Sequence, residues 1–369
     1  MRISVDLSPL LVRSAGVKTY LYHWYRALRA AGTQNVSSFP TPLRDESLHH
    51  EGSVFGTAKT VFALARLSGL NSLPEFAAAP LSPSADLFHV SNLIHRFPKT
   101  PLCTTTLHDV TTWTSPELHT VGNIRADRLF AEVILRRCDG VICVSETTRQ
   151  DAIRHLGLPE SRSRAIHSGV PQRYFDAKPT AEVRQRYGLT RPFLLFTGSI
   201  EPRKNVDLLL DAYLDLPSDV RDHWELVLTG PAGWQCEATI ARMKSAGRDV
   251  RYLGYTPEAD LPSILAAASA FVYPSLYEGF GFPVAQAMAA GVPVITSSVP
   301  ALAEVSGGAA RLIDPKSQAD LRSALLAMAT QPEYRQELAI KGRARAEVFR
   351  WERCARESLS YFESLAGRA

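Results

Sequence analysis

The chain is poor in the features that staple, anchor or export a protein. It has five cysteines in 369 residues: Cys103, Cys138, Cys143, Cys236 and Cys354. Their number is odd, they are scattered, and no Cys-x-x-Cys pair occurs. That argues against a disulfide framework or a zinc site and favours a reducing compartment. No apolar run approaches the roughly 18–20 residues needed to span a bilayer. Residues 1–6 carry one arginine and then alternate as a strand does, so no signal peptide is expected. There is no Gly-x-Gly-x-x-Gly and no Walker lysine, which weakens dinucleotide and P-loop readings. No repeat or low-complexity tract appears. Charge of either sign is modest, with 41 Lys and Arg against 37 Asp and Glu, a net +4. This suits contact with phosphates or an anionic membrane surface and does not call for nucleic acid.

What is present is an alternation of short apolar strands with amphipathic helices. A length of 369 residues with 45% hydrophobic side chains is enough for two cores. Strands are expected at residues 2–6, 86–90, 102–107, 140–144 and 163–167, and then at 192–197, 224–229, 250–253, 270–273, 292–296 and 310–313. Helices are expected between them. The clearest is 17–30, with Val17, Leu21, Trp24, Tyr25 and Leu28 on one face. Others are 206–216, 258–267 and, at the end of the chain, 317–329, 332–349 and 351–365. This is the pattern of an α/β chain with two doubly wound parallel sheets. The expected domains cover residues 1–175 and 176–349, with 350–369 a terminal helix and 170–188 the linking stretch.

Two segments of the first half are ambiguous. Residues 54–70 are apolar and basic, with Val54, Ala58, Val61, Phe62, Ala65 and Leu70 placed to share a face. That face suits a core helix, a lid or a membrane surface. Residues 125–137 set Arg125, Arg128, Arg136 and Arg137 against Ile124, Leu129, Phe130, Val133 and Ile134. A solvated basic face and a phospholipid contact both fit.

The chemistry concentrates at three strand ends. His108 and Asp109 follow the strand at 102–107, where open parallel sheets carry their sites. His108 either bonds a ligand or is a structural histidine tied to Asp109. Arg203 and Lys204 lie in Gly198-Ser-Ile-Glu-Pro-Arg-Lys-Asn205, just before a helix. Cations oppose a helix N-terminus, so an anion is expected beside them, a diphosphate by preference, with a pair of solvated surface cations the alternative. The third is Glu278-Gly279-Phe280-Gly281-Phe282-Pro283, between a strand and a helix stopped by Gly291. Backbone N–H groups here suit an anion or a hydroxyl-rich ligand, and Glu278 can accept bonds from vicinal hydroxyls; a plain strand-to-helix connection with an exposed Glu is the alternative. Gly16, before the first helix, either shapes the turn or admits a phosphate.

The third stretch resembles the signature of the retaining glycosyltransferases of family 4. Glu278, Gly279, Phe280, Gly281, Pro283, Ala287, Met288, Ala289, Gly291, Pro293, Val294 and Ile295 match, and the family's second Glu is here Gln286. The run around Arg203 and Lys204 resembles the family's phosphate-binding loop. Val144-Ser-Glu-Thr-Thr-Arg149, Ile166-His-Ser-Gly-Val-Pro171 and residues 300–305 resemble further family stretches. The resemblance implies a GT-B fold, two Rossmann-like domains facing a cleft, the first on the acceptor side and the second holding a nucleotide-diphosphate sugar. It implies catalytic roles for His108, Arg203, Lys204 and Glu278. It implies contact with that glycosyl donor at Gly16, Gly198, Gly279, Phe280, Gly281, Phe282 and Gln286, and a nucleobase near Gly254 and Tyr255. With no Asp-x-Asp triplet, no metal and no other cofactor are expected. The expected reaction is transfer of a hexose, from GDP-mannose or a related GDP-sugar, to a glycan or lipid-linked glycan of the cell surface. The expected place is cytoplasmic, in peripheral contact with the membrane face. A non-catalytic sugar-nucleotide-binding scaffold is the alternative, with Gln286 a sign of decay. A GT-B epimerase is disfavoured by the central stretch.

Overall fold

The computed structural model describes residues 1–14, 16–32, 35–97 and 100–367. Ala15, in the loop expected over residues 9–16, and the last two residues of the terminal segment lie outside that set. The chain divides into two compact units. One comprises Met1–Gly169 with Arg350–Ala369, the other Val170–Phe349.

Unit 1 holds six parallel strands: β1 (Arg2–Asp6), β2 (Asn35–Phe39), β3 (Leu87–Val90), β4 (Leu102–Leu107), β5 (Gly140–Cys143) and β6 (Ser163–Ala165). They are ordered β2-β1-β3-β4-β5-β6. β3, β4 and β5 are buried along their whole length. This is the state of strands covered on both faces, even though β3 carries His89 and β4 carries Thr104, Thr105 and Thr106. The helix Gly16–Ala30 buries Tyr20, Leu21, Trp24, Tyr25 and Leu28. The helix Trp351–Ala366 meets it: Trp24 Nε1 donates to Ser358 Oγ at 3.0 Å, and the Trp24 ring lies edge-on to Phe362.

Unit 2 repeats the plan with β7 (Phe193–Thr197), β8 (Glu225–Thr229), β9 (Val250–Tyr252), β10 (Ala270–Tyr273), β11 (Val294–Ser297) and β12 (Arg311–Ile313). Their order is β12-β11-β10-β7-β8-β9, again all parallel. β7, β8, β10 and β11 are fully buried. Val170 N–H donates to the Phe349 carbonyl at 2.7 Å, so the two ends of the unit meet. Among the described residues no helix is long and apolar enough to cross a membrane.

Several expectations need correction. β2 was not anticipated, because Asn35-Val-Ser-Ser-Phe39 is an edge strand with little apolar signal. The helix of the 54–70 segment is Thr57–Ser72, but its buried face is Ala63, Leu67 and Leu70. Of the residues placed to share a face, Ala58, Val61, Phe62 and Ala65 are exposed, which goes against the core-helix alternative and leaves the lid and membrane-surface alternatives. The basic helix runs over Val121–Phe130, capped by Thr120, and continues as a π-helix over Ala131–Leu135. The stretch 170–188 is no plain linker, since it forms the helices Gln172–Phe175 and Ala181–Arg186 of unit 2. The helix expected from 258 begins at Leu261, with Pro262 in its first turn, and the one expected over 332–349 ends at Ala346.

Candidate functional site

In unit 2 the winding reverses between β7 and β10. β8 and β9 lie on one side of β7, and β10, β11 and β12 on the other. Such a reversal opens a crevice beyond the carboxyl ends of the strands, where ligands of open α/β sheets bind. The loops after β7 and β10 are stitched together there. Leu276 N–H and Ser275 Oγ donate to the Arg203 carbonyl at 2.8 and 3.1 Å. Asn205, at φ 58°, ends the 3-10 turn Pro202–Lys204. Its Nδ2 donates to the carbonyls of Pro274 (3.1 Å) and Pro315 (2.8 Å).

Three hydrogen-bond donors and an ion pair converge on one oxygen of Glu278. Its Oε1 receives Lys204 Nζ at 2.6 Å, Ser275 Oγ at 2.7 Å and Tyr273 OH at 3.1 Å, and Arg203 Nη1, which donates to the Tyr277 carbonyl, lies 3.0 Å away as an ion pair. No described residue donates to Oε2. Lys204 Nζ also reaches Tyr273 OH at 2.6 Å, and Arg203 Nη2 reaches Glu201 Oε1 at 2.9 Å. Burial alone would raise the Glu278 carboxyl, but the charges of Arg203 and Lys204 and the bonds from Lys204 and Ser275 outweigh it and hold it at about 2. Burial, then the Arg203 charge, push Lys204 down, and Glu278 and Glu201 pull it back. The expected anion beside the two cations is therefore already supplied by Glu201 and Glu278. The cations sit in the turn before the helix Val206–Leu214 and not in its first turn.

The helix Phe282–Ala289 opens with Gly281 at φ 93° and no side-chain cap. A Cβ on Gly281 would lie 2.4 Å from Leu302 Cδ2. Phe280 is buried with its ring edge-on to Phe282 and Phe349, so its side chain belongs to the core and its backbone alone can meet a ligand. Gln286 is half-buried, and its amide has no partner among the described residues. Gly198 borders the neighbouring loop so closely that a Cβ on Gly230 would fall 1.9 Å from the Gly198 carbonyl oxygen. Beyond β9, Gly254 adopts φ 67° and Tyr255 is exposed.

In unit 1 the reversal falls between β1 and β3. Asp6, at the end of β1, is fully buried. It accepts from Ser8 N–H (2.9 Å) and Oγ (3.0 Å) and from Ser91 N–H (3.1 Å) and Oγ (2.5 Å). Burial raises its carboxyl and those bonds lower it. His108 follows β4, its ring edge-on to Tyr20 at 4.9 Å. Burial lowers it to about 4, with Asp109 pulling the other way, so it is neutral at pH 7. Asp109 Oδ1 accepts from Thr111 N–H at 3.0 Å and Oγ1 at 2.8 Å, which anchors the turn Thr111–Thr114. His108 lines a cavity of about 140 Å³ together with Asp109, Trp113 and Asp127. Gly16 is exposed at a helix start, with nothing within 4 Å of where its Cβ would stand. Arg203, Lys204, Glu278, Gly198, Gly279, Gln286, Gly254 and Tyr255 thus share unit 2, while Gly16 and His108 belong to unit 1. Among the described residues, no three His, Cys, Asp or Glu side chains are grouped to hold a metal ion.

Residues 14–173 match the model of Glycosyltransferase Family 4, and residues 179–345 match that of Glycosyl transferases group 1. The chain is 34% identical over 286 residues to the O-antigen chain mannosyltransferase B of Escherichia coli, covering 76% of this chain and 74% of that one. It is a family 4 glycosyltransferase. The serotype-specific mannosyltransferase WbdA of Escherichia coli is 27% identical over 237 residues, 62% of this chain but only 29% of that longer enzyme. Anabaena HepE, solved with UDP and glucose, superposes over 99% of this chain and 100% of its own with a TM-score of 0.71. At 18% identity that likeness carries the GT-B fold alone. Within this family 4 enzyme, sequence reasoning missed Glu201, Asn205, Tyr273 and Ser275, which position the cluster, and Asp6 and Asp127 in unit 1. Glu201 and Asn205 lie inside the quoted Gly198–Asn205 run, and Ser275 lies two residues beyond the end of β10. Their spacing from Arg203 and Glu278 was the available signal.

Proposed function

We propose that this glycosyltransferase moves mannose, with retention, from GDP-mannose or a related GDP-sugar to a glycan or lipid-linked glycan of the cell surface, without a metal. The observation that carries the reading is the Arg203–Lys204–Glu278 cluster at the β7/β10 reversal, with one carboxylate oxygen saturated and the other free of donors. Mannose is favoured by the 34% identity to an O-antigen mannosyltransferase.

In this mechanism Arg203 and Lys204 neutralise the diphosphate as the glycosidic bond breaks. Stabilisation of developing charge by fixed groups is usually the largest catalytic contribution. Glu278 keeps both cations in place through Oε1 and offers Oε2 to hydroxyls of the sugar. Backbone N–H groups at the start of the helix Phe282–Ala289 add to the anion's field. Neutral His108 exchanges a hydrogen bond with a sugar hydroxyl and bears no charge. The acceptor's hydroxyl attacks the anomeric carbon on the face that the diphosphate leaves. Its proton passes to a diphosphate oxygen, so configuration is kept without a protein nucleophile. The two cations take the part a divalent ion plays elsewhere.

A lipid-linked acceptor at an anionic membrane surface suits the exposed Val61, Phe62 and Leu64 of the helix Thr57–Ser72 and the exposed Arg125, Arg128, Arg136 and Arg137.

The test is a panel of nucleoside diphosphates and their sugars ranked by the rise in melting temperature, since a ligand of the folded state stabilises it by about 2.7 kcal/mol at a hundred times Kd. GDP and GDP-mannose are expected to raise it more than UDP, and Arg203→Ala to abolish the rise and cost about 10²–10³ in kcat. Turnover should survive EDTA. A UDP-only response overturns the choice of nucleotide. No response, with Arg203→Ala indistinguishable from the parent, favours the scaffold.

A further inference from the structure

We propose that a second, larger cavity of unit 1, walled by Arg128, Arg136 and Arg162, binds a phosphate monoester whose body is apolar. The inference goes beyond the glycosyltransferase reading and does not depend on it, since none of these residues belongs to the Glu278 cluster or to the crevice beside His108.

The cavity measures about 360 Å³, within the range of small-ligand pockets. Its place follows from the topology of the sheet. β5 and β6 run parallel. Arg136 comes shortly before β5 and Arg162 directly before β6, so both stand at the amino ends of those strands. The helix Glu146–Leu156 leaves the carboxyl end of β5 and returns to that same edge, where His155, Leu156 and Gly157 line the cavity. His108, by contrast, follows the carboxyl end of β4. The cationic end thus lies at the edge of the sheet opposite the crevice, and Trp113, Ala131 and Leu135 line both this cavity and the smaller one beside His108. One wall is a single helical face. Arg128, Glu132 and Arg136 recur at i, i+4 and i+8, with Ala131 and Leu135 beside them. The middle of that face is the π-helix Ala131–Leu135, a rare form that is frequent at functional sites. Arg162 is preset for a ligand. Its Nη1 donates to the carbonyls of Arg136 and Cys138, both at 3.0 Å, which fixes the guanidinium and leaves Nη2 without an acceptor among the described residues. Arg128, Arg136 and Glu132 make no hydrogen bond or ion pair among the described residues. The planar fork of arginine matches phosphate oxygens. Charge then selects the ligand. Three guanidiniums against the one carboxylate of Glu132 leave two positive charges, before His155 is counted. A carboxylate would balance one of them, whereas a phosphate monoester, at about −1.5 to −2, balances both. Ala131, Leu135 and Leu158 are buried, and with Leu156 and Trp113 they offer an apolar surface to the body of the ester. A free phosphate ester and the monoester headgroup of a phosphatidic acid present this same chemistry.

The test is calorimetric titration of the full chain with 1-naphthyl phosphate at pH 7 in a phosphate-free buffer. Binding is expected, and 1-naphthol, which lacks the charge, is expected not to bind. Arg136→Ala, whose side chain has no partner to lose, is expected to weaken binding at least about tenfold, the size that one charge-assisted hydrogen bond accounts for. Arg125→Ala, on the same helix but outside the cavity, should bind as the parent does, and melting curves check that each variant is folded. No binding by the parent, equal binding by Arg136→Ala, or equal binding of 1-naphthol overturns the site. So does loss of the probe in excess GDP or in Arg203→Ala, which would put it in the cluster of unit 2. Vesicles then name the source. Displacement of the probe by phosphatidylcholine vesicles carrying phosphatidic acid, and not by phosphatidylcholine alone, assigns the site to a lipid headgroup; a probe that neither displaces assigns it to a free ester. The nucleotide panel does not bear on any of these outcomes, so the transferase reading and this site can fail separately.

Discussion

Glu278 shows how a single carboxylate can organise a site before any ligand arrives. An ammonium, a phenol and a hydroxyl donate to its Oε1, and a guanidinium pairs with it. Removing one member of a buried pair leaves the other charge uncompensated, which costs about 3–5 kcal/mol. Glu278→Gln is therefore expected to lower the melting temperature markedly as well as activity, and a thermal melt at pH 7 checks it. The acid limb follows from the same group. Its folded carboxyl is held at about 2 against an ordinary 4.5, so its contribution to stability is complete above about 4.5 and fades as pH falls toward 2. In Glu278→Gln that part of the acid loss should vanish, which denaturant titrations between pH 5 and pH 3 can read. Gln286 makes the converse case. Its amide has no partner among the described residues where the family signature has an acid, and a neutral acceptor bonds about half as strongly as a charged one. Gln286→Glu is expected to tighten GDP binding several-fold by calorimetry, and an unchanged Kd would exclude a direct contact with the ribose. Both residues were legible in the chain because they sit in a long motif. The donors that converge on Glu278 were less so, since Tyr273 and Ser275 read as the last residues of a strand and its stop.

At the scale of elements, the helix Thr57–Ser72 is the anomaly. It buries Ala63, Leu67 and Leu70 but leaves Val61 61% and Phe62 59% exposed. Large apolar side chains grouped on a helix surface mark contact with something else, and here the proposed partner is the anionic membrane face. Val61→Asp with Phe62→Asp should abolish sedimentation with anionic vesicles. It should leave the melting temperature almost unchanged, because exposed substitutions usually cost no more than about 0.5 kcal/mol. Retained sedimentation would detach this helix from the membrane. The same helix explains where reading the chain fell short. Residues 54–70 carry apolar side chains on more than one face, so periodicity could not say which stripe is inward; packing against the Ser8–Leu11 turn and its neighbours decides it. β2 was silent for the opposite reason, because an edge strand of Asn, Val, Ser, Ser and Phe needs little apolar surface. The central strands β4 and β10, buried on both faces, announced themselves at their observed limits.

The whole chain is two units of unequal continuity. Unit 1 is interrupted: it needs Arg350–Ala369, whose helix presents Ser358, Tyr361, Phe362 and Leu365 to Trp24 and to Gly140, where a Cβ would strike Leu365 at 2.4 Å. Unit 2 is one uninterrupted stretch, Val170–Phe349, with its own fully buried strands. Its ends are joined by the Val170–Phe349 hydrogen bond at 2.7 Å, so cutting the chain on either side leaves both termini at one point of its surface. At this size a single α/β sheet with helices on both faces buries enough surface to fold alone. The Arg203–Lys204–Glu278 cluster lies wholly inside it. Residues 170–349 expressed alone are therefore expected to unfold cooperatively and to be stabilised by GDP, with Arg203→Ala removing that stabilisation. Residues 1–169 alone, lacking the helix Trp351–Ala366, are expected to expose Trp24 and to show no cooperative melt. If instead residues 170–349 melt without a transition, the cluster depends on unit 1, and the nucleotide site cannot be assigned to one unit.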